Sequence, residues 1–412
     1  MTSEQRRGWG IVASLFTELM LVFGAGFFTA GIFFNPLLKQ FGWSRARLAS
    51  VTGALQATLG LSSPLFGWIL DRVEARWLMA GGVALVGFGF VGASRIHSFT
   101  PLFLCYVAVG LGLGASSLLP ASLVIANWFR ERRGIAMGVT MAGTSVGGSL
   151  MTLAAHWAIG HGGWRFGYLF LAAPMFLVAI PVLLMNVKSH PPQRVAVTAP
   201  GVLPELPGME VGPALGTRSF WMIFIIQFCF GYFAVAIVVH LPPYLIGLGY
   251  GSGIAALALS MVLVCASAGK LVMGTIADRV SGRIAVALDF AITAAGFVMF
   301  LGARSPAFLV ASIPILGVVI GAPIALVPFL TAEALGLKRF GSIVGLTNLA
   351  YTLGAAIGPV LSGRIYDLTH SYAAALMLFA MFALIGAGAA LACSGLEEEQ
   401  ARLLKQAARV AG

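Results

Sequence analysis

Three ionisable residues stand out inside long apolar runs of this sequence: Glu18, His240 and Lys270. A charge at the centre of a bilayer costs about 2.5–3.5 kcal/mol on insertion scales, so each group needs a partner or a function. Lys270 lies about eight residues from the nearer polar end of its run, or roughly 12 Å by helical rise, too deep to reach water easily. Facing a cavity, its ammonium would bind one carboxylate. A structural ion pair with a neighbouring helix is the alternative.

Glu18 is the only acid deep in the first half of the sequence. A buried acid without a fixed partner can carry a proton, whereas an acid near the mouth of the helix would simply stay hydrated. His240 comes just before Pro242 and Pro243, where a helix deforms and leaves carbonyl groups without donors. It could gate an outer vestibule or contact a substrate, or it could only cap those carbonyls.

Neutral polar side chains in the apolar runs could complete a cavity for a hydroxyl or carbonyl oxygen. The deepest are Tyr106, Ser117, Thr144, Gln227, Asn348, Tyr351 and Thr352. Apolar walls for a short acyl chain could come from Phe27, Phe28 and Tyr232. Each polar group taken alone is more often part of a helix–helix hydrogen bond in a membrane bundle, and each aromatic ring is more often packing.

The elements that would position these residues are membrane-spanning helices. Of the 412 residues, 59% are hydrophobic and 9% are charged, against about 25% charged in soluble domains. A span needs roughly 20 apolar residues, and continuous apolar runs exclude the alternating pattern of a β-barrel. Twelve runs fit, at 10–36, 47–70, 77–95, 100–128, 135–159, 165–187, 219–246, 253–277, 283–302, 305–332, 341–364 and 371–393. The sequence thus predicts an all-α membrane protein with twelve transmembrane helices.

The net charge of +11 fits membrane topology rather than nucleic-acid binding, because no basic stripe with interleaved aromatics is present. Basic residues concentrate in the segments that share a side with the N-terminus, which places both termini in the cytoplasm of a bacterial inner (plasma) membrane. The four cysteines are isolated, and the six histidines have no ligand spacing. We therefore expect no metal, no cofactor and no enzyme activity.

An internal repeat relates the two halves of the chain at a single offset of 207 positions. The offset pairs Gly24 with Gly231, Pro36 with Pro243, Gly110 with Gly317, Gly114 with Gly321, Gly134 with Gly341, Gly138 with Gly345 and Gly147 with Gly354. We expect six-helix halves at 1–187 and 219–393, a cytoplasmic linker at 188–218 and a cytoplasmic tail at 394–412. Such halves predict a secondary transporter whose halves rock about a central site. Lys270 pairs with Ser63, so its charge belongs to one half only.

The same offset repeats a Gly-x-x-x-Asp-Arg motif after helices 2 and 8. Its members are Gly67, Asp71 and Arg72 in the first half and Gly274, Asp278 and Arg279 in the second. The small residue lets helices approach, while the Asp and Arg can pair at the cytoplasmic rim. We interpret the motif as a gating element.

Three segments give the chain a family resemblance: Gly67-Trp-Ile-Leu-Asp71-Arg72, Asn127-Trp-Phe-Arg-Glu-Arg-Arg-Gly134 and Leu337-Lys-Arg-Phe-Gly341-Ser-Ile-Val-Gly345-Leu. Together they resemble the major facilitator superfamily over essentially the whole chain. Two more, Phe41-Gly42-Trp43-Ser44-Arg45 and His240-Leu-Pro-Pro-Tyr244, resemble the branch with monocarboxylate transporters and the oxalate:formate antiporter.

The resemblance implies roles for three positions. Lys270 stands where the family has a carboxylate-binding arginine in helix 8, and lysine offers a point charge instead of a bidentate fork. Ala266 replaces the aspartate that animal monocarboxylate transporters carry one turn earlier, and Tyr351 stands where the oxalate antiporter has a second cation. A single cation favours a monoanion.

The leading hypothesis is transport of a small organic monoanion such as lactate or pyruvate, coupled to protons or to a counter-anion, by a monomer in the lipid bilayer. Efflux of a larger amphipathic compound is the alternative within transport. A transport-incompetent membrane sensor is the alternative from another class.

Overall fold

The computed structural model describes residues 3–191 and 206–411, and these residues are almost entirely helical. Ten continuous helical stretches in this part of the chain are long and apolar enough to span a membrane. One of them, Arg133–Asn186, bends at Gly163, where φ is 74° and ψ is 177°, and therefore contains two spans. Another span is interrupted at Ser62. The twelve predicted helices are confirmed.

The twelve helices are numbered in chain order. In the first six, helix 1 is Ser3–Glu18 with its continuation Leu19–Phe23 and Gly24–Phe28, helix 2 is Arg45–Leu61 and Ser63–Leu70, helix 3 is Ala75–Ala93, helix 4 is Phe99–Ser116 and Leu118–Trp128, and helices 5 and 6 share Arg133–Pro174, with Met175–Ala179 and Ile180–Asn186 completing helix 6. In the second six, helix 7 is Arg218–Gly247, helix 8 Ser252–Ala277, helix 9 Gly282–Phe300, helix 10 Pro306–Gly321 and Pro323–Leu335, helix 11 Phe340–Thr369 and helix 12 Ala373–Leu391. A short helix Val211–Leu215 precedes helix 7, and a C-terminal helix Leu396–Ala411 follows helix 12.

The described residues form two compact units. The first contains the residues up to Arg130 and residues 139–191, and the second contains residues 131–138 and those from Leu206 onward. The start of helix 5 therefore belongs with the second unit. The predicted limits of the halves stay predictions, and residues 192–205, in the middle of the predicted linker, lie outside the described residues.

Repeated glycines mark equivalent close contacts inside each unit. A Cβ added to Gly110 of helix 4 would overlap the Leu55 carbonyl of helix 2. A Cβ added to Gly317 of helix 10 would overlap the Val262 carbonyl of helix 8 in the same way. Both contacts obey the 207-residue offset, since Leu55 pairs with Val262. The repeat in the sequence is thus a repeat of helix–helix backbone contacts, which only small residues allow.

Helices 4 and 10 are each broken near the middle, where the sequence predicted single helices over 100–128 and 305–332. Helix 4 breaks at Ser117, whose φ of −99° and ψ of −121° are not helical. In helix 10 only the hydrogen bonding is interrupted, at Ala322–Pro323, because the dihedrals of Ala322 stay helical (φ −66°, ψ −38°). Prolines follow both breaks, Pro120 in helix 4 and Pro323 in helix 10, and a proline has no amide hydrogen for the carbonyl four residues earlier. The apolar pattern runs through both breaks, so hydropathy alone does not reveal them.

A short backbone pairing holds the end of the linker in the second unit. Met209 N donates to the Leu335 carbonyl (3.0 Å), and Leu337 N donates to the Pro207 carbonyl (2.8 Å). Between them Gly336 has φ 78° and ψ −165°, a conformation essentially restricted to glycine. This pairing fixes the loop directly before helix 11.

Candidate functional site

Lys270 lies in the interior of the second unit, on helix 8, with a side chain only 2% exposed. The start of helix 5 crosses helix 8 at this level, because a Cβ on Gly138 would overlap the Lys270 carbonyl and a Cβ on Gly134 would overlap that of Gly274. Lys270 therefore sits on a rigid helix in backbone contact with a neighbour. Ala266, one turn earlier, packs against Gly321 of helix 10 in similarly close contact.

Helices 7 and 11 bring three of the predicted polar residues to one helix pair. Gln227 on helix 7 is 7% exposed, while Asn348 and Tyr351 on helix 11 are half-buried. The two helices touch backbone to backbone, since a Cβ on Gly231 would overlap the Tyr351 carbonyl. The Tyr351 ring packs on Phe230, with 5.3 Å between ring centroids. Their predicted role, to position a carboxylate or hydroxyl oxygen of the substrate, stays a prediction.

Tyr232 and His240 lie at packing contacts of the second unit. The Tyr232 ring lies 4.4 Å from the ring of Phe382 in helix 12. His240 Nε2 is 2.9 Å from the Pro359 carbonyl, and its Nδ1 is 3.2 Å from the Tyr372 hydroxyl. A carbonyl only accepts, so Nε2 carries the proton and a neutral His240 accepts from Tyr372 through Nδ1. The bonds suit the capping alternative for His240, and its substrate-binding role stays a prediction.

Glu18 occupies the interior of the first unit at the point where helix 1 changes its winding. Its side chain is 0% exposed, and neither carboxylate oxygen has a hydrogen-bond partner among the described residues. A π-helical turn, Leu19–Phe23, begins at the next residue, and such turns are frequent at functional sites. Helix 5 packs on both sides of this point, with Gly143 against the Phe16 carbonyl and Gly147 against that of Met20.

The remaining predicted residues of the first unit are buried or half-buried. Tyr106 shares a hydrogen bond of 3.1 Å with the Tyr168 hydroxyl. Ser117 is 1% exposed, lies at the break of helix 4, and its hydroxyl has no hydrogen-bond partner among residues 3–191 and 206–411. Phe28 forms an aromatic cluster with Phe23 and Phe27, with centroid distances of 5.0–6.1 Å.

The repeated Gly-x-x-x-Asp-Arg motif has a defined geometry in the second unit. Gly134 N donates to Asp278 Oδ1 (2.6 Å) and Ile135 N donates to Oδ2 (2.9 Å). Asp278 thus caps the first turn of helix 5, where a carboxylate also interacts well with the helix dipole. In the first unit, Arg72 donates to the Trp68 carbonyl (2.8 Å) and lies over the Trp68 ring. The predicted gating role stays a prediction.

One deeply buried ionisable residue, Asp289, is not among the site residues predicted from the sequence. Asp289 on helix 9 is 0% exposed, and neither of its carboxylate oxygens has a hydrogen-bond partner in the described part of the chain. It is a lone acid inside the apolar run 283–302, the same signal that selects Glu18 and Lys270. The 207-residue offset pairs it with Gly82, so the acid belongs to one half only.

Twelve membrane helices in the described part of the chain, a twofold internal repeat and deeply buried ionisable side chains are typical of a polytopic transporter. Residues 19–359 match the family model of the Major Facilitator Superfamily. The chain belongs to this family and is a multi-pass membrane transporter, which confirms the predicted fold class and the family resemblance.

Three known proteins show what the chain is similar to. It is 27% identical to monocarboxylate transporter 13 of Bos taurus, over 92% of this chain and 88% of that protein. It is 26% identical to monocarboxylate transporter 4 of Gallus gallus, over 94% and 82%. The crystal structure of the human organic anion transporter MFSD10 superposes with a TM-score of 0.68 at 16% identity, covering 95% of this chain and all of that one. At that identity the structural likeness supports the fold alone.

Proposed function

We propose that this chain is a secondary active transporter of a small organic monoanion, a monocarboxylate such as lactate or pyruvate. The observation that carries the proposal is Lys270, a lysine that is 2% exposed on a membrane helix of one half only. A cation held at that depth is well suited to bind a single carboxylate, because charge-assisted hydrogen bonds are strong in a low dielectric.

The proposed mechanism assigns a step to five of the predicted residues. The Lys270 ammonium binds the substrate carboxylate, and Gln227, Asn348 and Tyr351 orient its other oxygen or an adjacent hydroxyl. Glu18 takes up and releases the coupled proton, unless the chain exchanges one anion for another. Rocking of the two repeats would give alternating access, as in other transporters with this kind of repeat.

Similarity to known transporters supports the proposed monocarboxylate substrate. The distribution of basic residues supports the proposed membrane and orientation. Two of the similar proteins are named monocarboxylate transporters, although identity stays below 30%. The proposed location is the inner (plasma) membrane of a bacterium, with both termini cytoplasmic, because basic residues cluster on the side of the N-terminus. We propose that the protein works as a monomer, since one chain contains both repeats.

Ligand-induced thermal stabilisation of the purified protein tests the proposal. Lactate, pyruvate, oxalate, benzoate and uncharged analogues would be compared in the wild type, Lys270→Met and Lys270→Arg, with the exposed Lys39→Met as the matched control. Loss of a charged hydrogen-bond partner costs about 1.5–3 kcal/mol, so Lys270→Met should weaken monocarboxylate binding about 10-fold to 100-fold. Lys270→Arg should retain binding, and Lys39→Met should match the wild type.

Two outcomes would contradict the proposal. If no carboxylate stabilises the wild type, or if Lys270→Met binds as tightly as Lys39→Met, the lysine is structural. Efflux of a larger amphipathic compound would then be the better account of the transport activity.

A further inference from the structure

Asp289 lies on the packed face of helix 9. The neighbours that share its face, Val286 and Thr293, are 0% exposed, whereas Ile284, on the far side of the helix, is 45% exposed. Thr293 donates its hydroxyl to the backbone carbonyl of Asp289 (2.8 Å) and leaves the carboxylate untouched. The acid therefore points into the helix packing of the second unit rather than toward lipid.

The contacts of helix 9 place this acid level with the break in helix 10. Gly282 lies against Leu330, and Gly296 lies against Leu316. The numbers rise along one helix as they fall along the other, so the two helices run antiparallel. Asp289 lies midway between the two glycines, about two helical turns from each, so it shares their face and lies level with Ala322–Pro323, where the hydrogen bonding of helix 10 is interrupted.

The interruption of helix 10 leaves a backbone carbonyl to which a protonated acid can donate a hydrogen bond. Pro323 has no amide hydrogen, so the Val319 carbonyl loses the helical hydrogen bond that residue 323 would donate. A protonated carboxyl group has one O–H donor, whereas an ionised one only accepts. Only the protonated form of Asp289 can thus supply a hydrogen bond to a carbonyl that the break leaves without its donor.

The opposite side of the break rests on helix 8 next to Lys270. A Cβ on Gly269 would overlap the Val318 carbonyl, and a Cβ on Gly321 would overlap the carbonyl of Ala266. Lys270 directly follows Gly269 in the chain. The interrupted segment of helix 10 consequently lies between the Asp289 side chain and the stretch of helix 8 that carries the lysine. Interrupted helices at corresponding positions of two repeats commonly form transport sites.

We propose that Asp289 is a proton-binding site that controls the break in helix 10 and, through it, the anion affinity of helix 8. Protonated by a proton from water, Asp289 donates its O–H to the Val319 carbonyl, which lacks its helical donor; releasing that proton to water removes the Asp289 donor. A neutral acid also adds no negative charge near a bound anion, so the protonated form binds the anion more tightly. The coupling to the anion rests on the proposed function, whereas proton binding itself does not.

The elements that surround the acid carry several other ionisable groups. They are Arg283 on helix 9, Glu333 on helix 10, Lys270 and Cys265 on helix 8, and Arg218, Cys229, Tyr232, His240 and Tyr244 on helix 7, which reaches helix 9 through Phe233 and Phe290. Glu333 accepts a hydrogen bond from Gly282 N (2.7 Å), about 10 Å along helix 9 from the acid by helical rise. Helix 12, over its described residues 373–391, carries no acidic or basic side chain.

Infrared difference spectroscopy over a pH titration of the reconstituted protein tests the proton site directly. The wild type should show a protonated-carboxyl C=O band that disappears as the acid ionises, and Asp289→Asn should lack this band. Thr293→Val, one turn away on the same buried face, should keep it. Asp289→Leu removes the same proton and suits an apolar surrounding, so it replaces the asparagine variant if that variant does not fold.

Lactate binding over the same pH range tests the coupling. Wild type and Thr293→Val should bind more tightly at low pH, by about 5-fold to 150-fold as in other linked sites, and Asp289→Asn should bind tightly throughout. An unchanged band in Asp289→Asn and Asp289→Leu would overturn the proton site, whatever the anion result. If the band behaves as expected but no monocarboxylate binds, the proton site stands and the proposed function fails. A band that behaves as expected with pH-dependent binding unchanged in Asp289→Asn overturns the coupling.

Discussion

Three ionisable side chains of this transporter, Glu18, Lys270 and Asp289, are at most 2% exposed and lie on helices that pack tightly around them. Each is absent from the equivalent position of the other repeat, so none serves the shared scaffold. Burying such groups is costly in a bilayer. Their retention is explained if they bind the substrate and the coupled proton, as proposed for Lys270 and for the two acids.

Replacing Glu18 with glutamine separates proton coupling from substrate exchange. Glu18→Gln removes the titratable proton but keeps the volume, so we expect the fold and anion exchange to persist while proton-driven accumulation is lost. Uptake into proteoliposomes with and without a proton gradient measures the difference. The exposed Glu131→Gln is the matched control. Accumulation at the wild-type level in Glu18→Gln would remove Glu18 from the mechanism.

His240 should contribute mainly to stability. His240→Phe removes the bonds to Pro359 and Tyr372, and each lost hydrogen bond costs about 0.5–1.5 kcal/mol. We expect a lower Tm with substrate affinity retained, and Tyr372→Phe should show a smaller decrease because it removes only one of the bonds. An unchanged Tm together with lost binding would instead assign His240 to the substrate site.

Sequence reasoning found part of this residue-level picture. Glu18 and Lys270 stand out as charges in apolar runs, and the structure buries both. Asp289 gives the same signal, and including every lone acid in an apolar run would have found it. The partners of His240 could not be read from the sequence, because Pro359 and Tyr372 are more than 100 positions away and depend on how helix 7 packs against helix 11 and the start of helix 12.

At the scale of elements, a carboxylate joins the ends of two helices in the second unit. Asp278, at the end of helix 8, caps the start of helix 5 through two backbone amides. We expect Asp278→Asn to destabilise the protein by about 1 kcal/mol, because an amide side chain accepts fewer hydrogen bonds and lacks the charge that favours a helix N-terminus. Thermal unfolding measures this, with the exposed Asp367→Asn as the matched control. Equal losses in both variants would contradict the capping role.

Two interactions hold the linker against the loop before helix 11: an ion pair and a backbone pairing. We expect the ion pair to contribute less to stability than the backbone pairing. Arg339 donates a hydrogen bond to Glu210 (2.8 Å), which lowers the pKa of that carboxyl. The stabilisation is therefore present above the unfolded pKa of about 4.3 and is lost as the pH falls through the lower folded value. Because the Glu210 side chain is 45% exposed, it amounts to at most about 1 kcal/mol.

Gly336→Ala should be the more damaging change in this pairing. Its φ of 78° disfavours a side chain, and a Cβ there would overlap the Gly208 backbone. We expect a larger fall in Tm for Gly336→Ala than for Glu210→Gln at neutral pH, and at low pH the Glu210→Gln variant should match the wild type. A larger effect of Glu210→Gln would show that the ion pair, and not the backbone pairing, holds the linker.

The sequence predicts the number of helices and the internal repeat, but it does not predict the interruptions within helices or the pairing of distant segments. Helix number and the repeat follow from hydropathy and from spaced glycines, and the matching contacts of Gly110 and Gly317 explain why those glycines recur. The breaks at Ser117 and Ala322 are invisible to hydropathy, since apolar side chains continue through them. The pairing of Gly208 with Gly336 joins distant segments and has no local sequence signal.

At the scale of the whole molecule, the chain is a Major Facilitator Superfamily transporter. The proposed substrate class rests on one buried cation and on similarity to monocarboxylate transporters at 26–27% identity. Fold and family therefore leave the substrate to be decided by the site, because one fold carries many functions.

The most direct test is uptake of radiolabelled lactate or pyruvate into proteoliposomes containing wild type, Lys270→Met, Lys270→Arg or Lys39→Met protein. We predict saturable uptake by wild type and Lys39→Met, reduced about 10-fold or more in Lys270→Met and largely preserved in Lys270→Arg. Uncharged analogues should not compete. Monocarboxylate uptake by Lys270→Met at the wild-type rate, or no uptake by the wild type, would contradict the account.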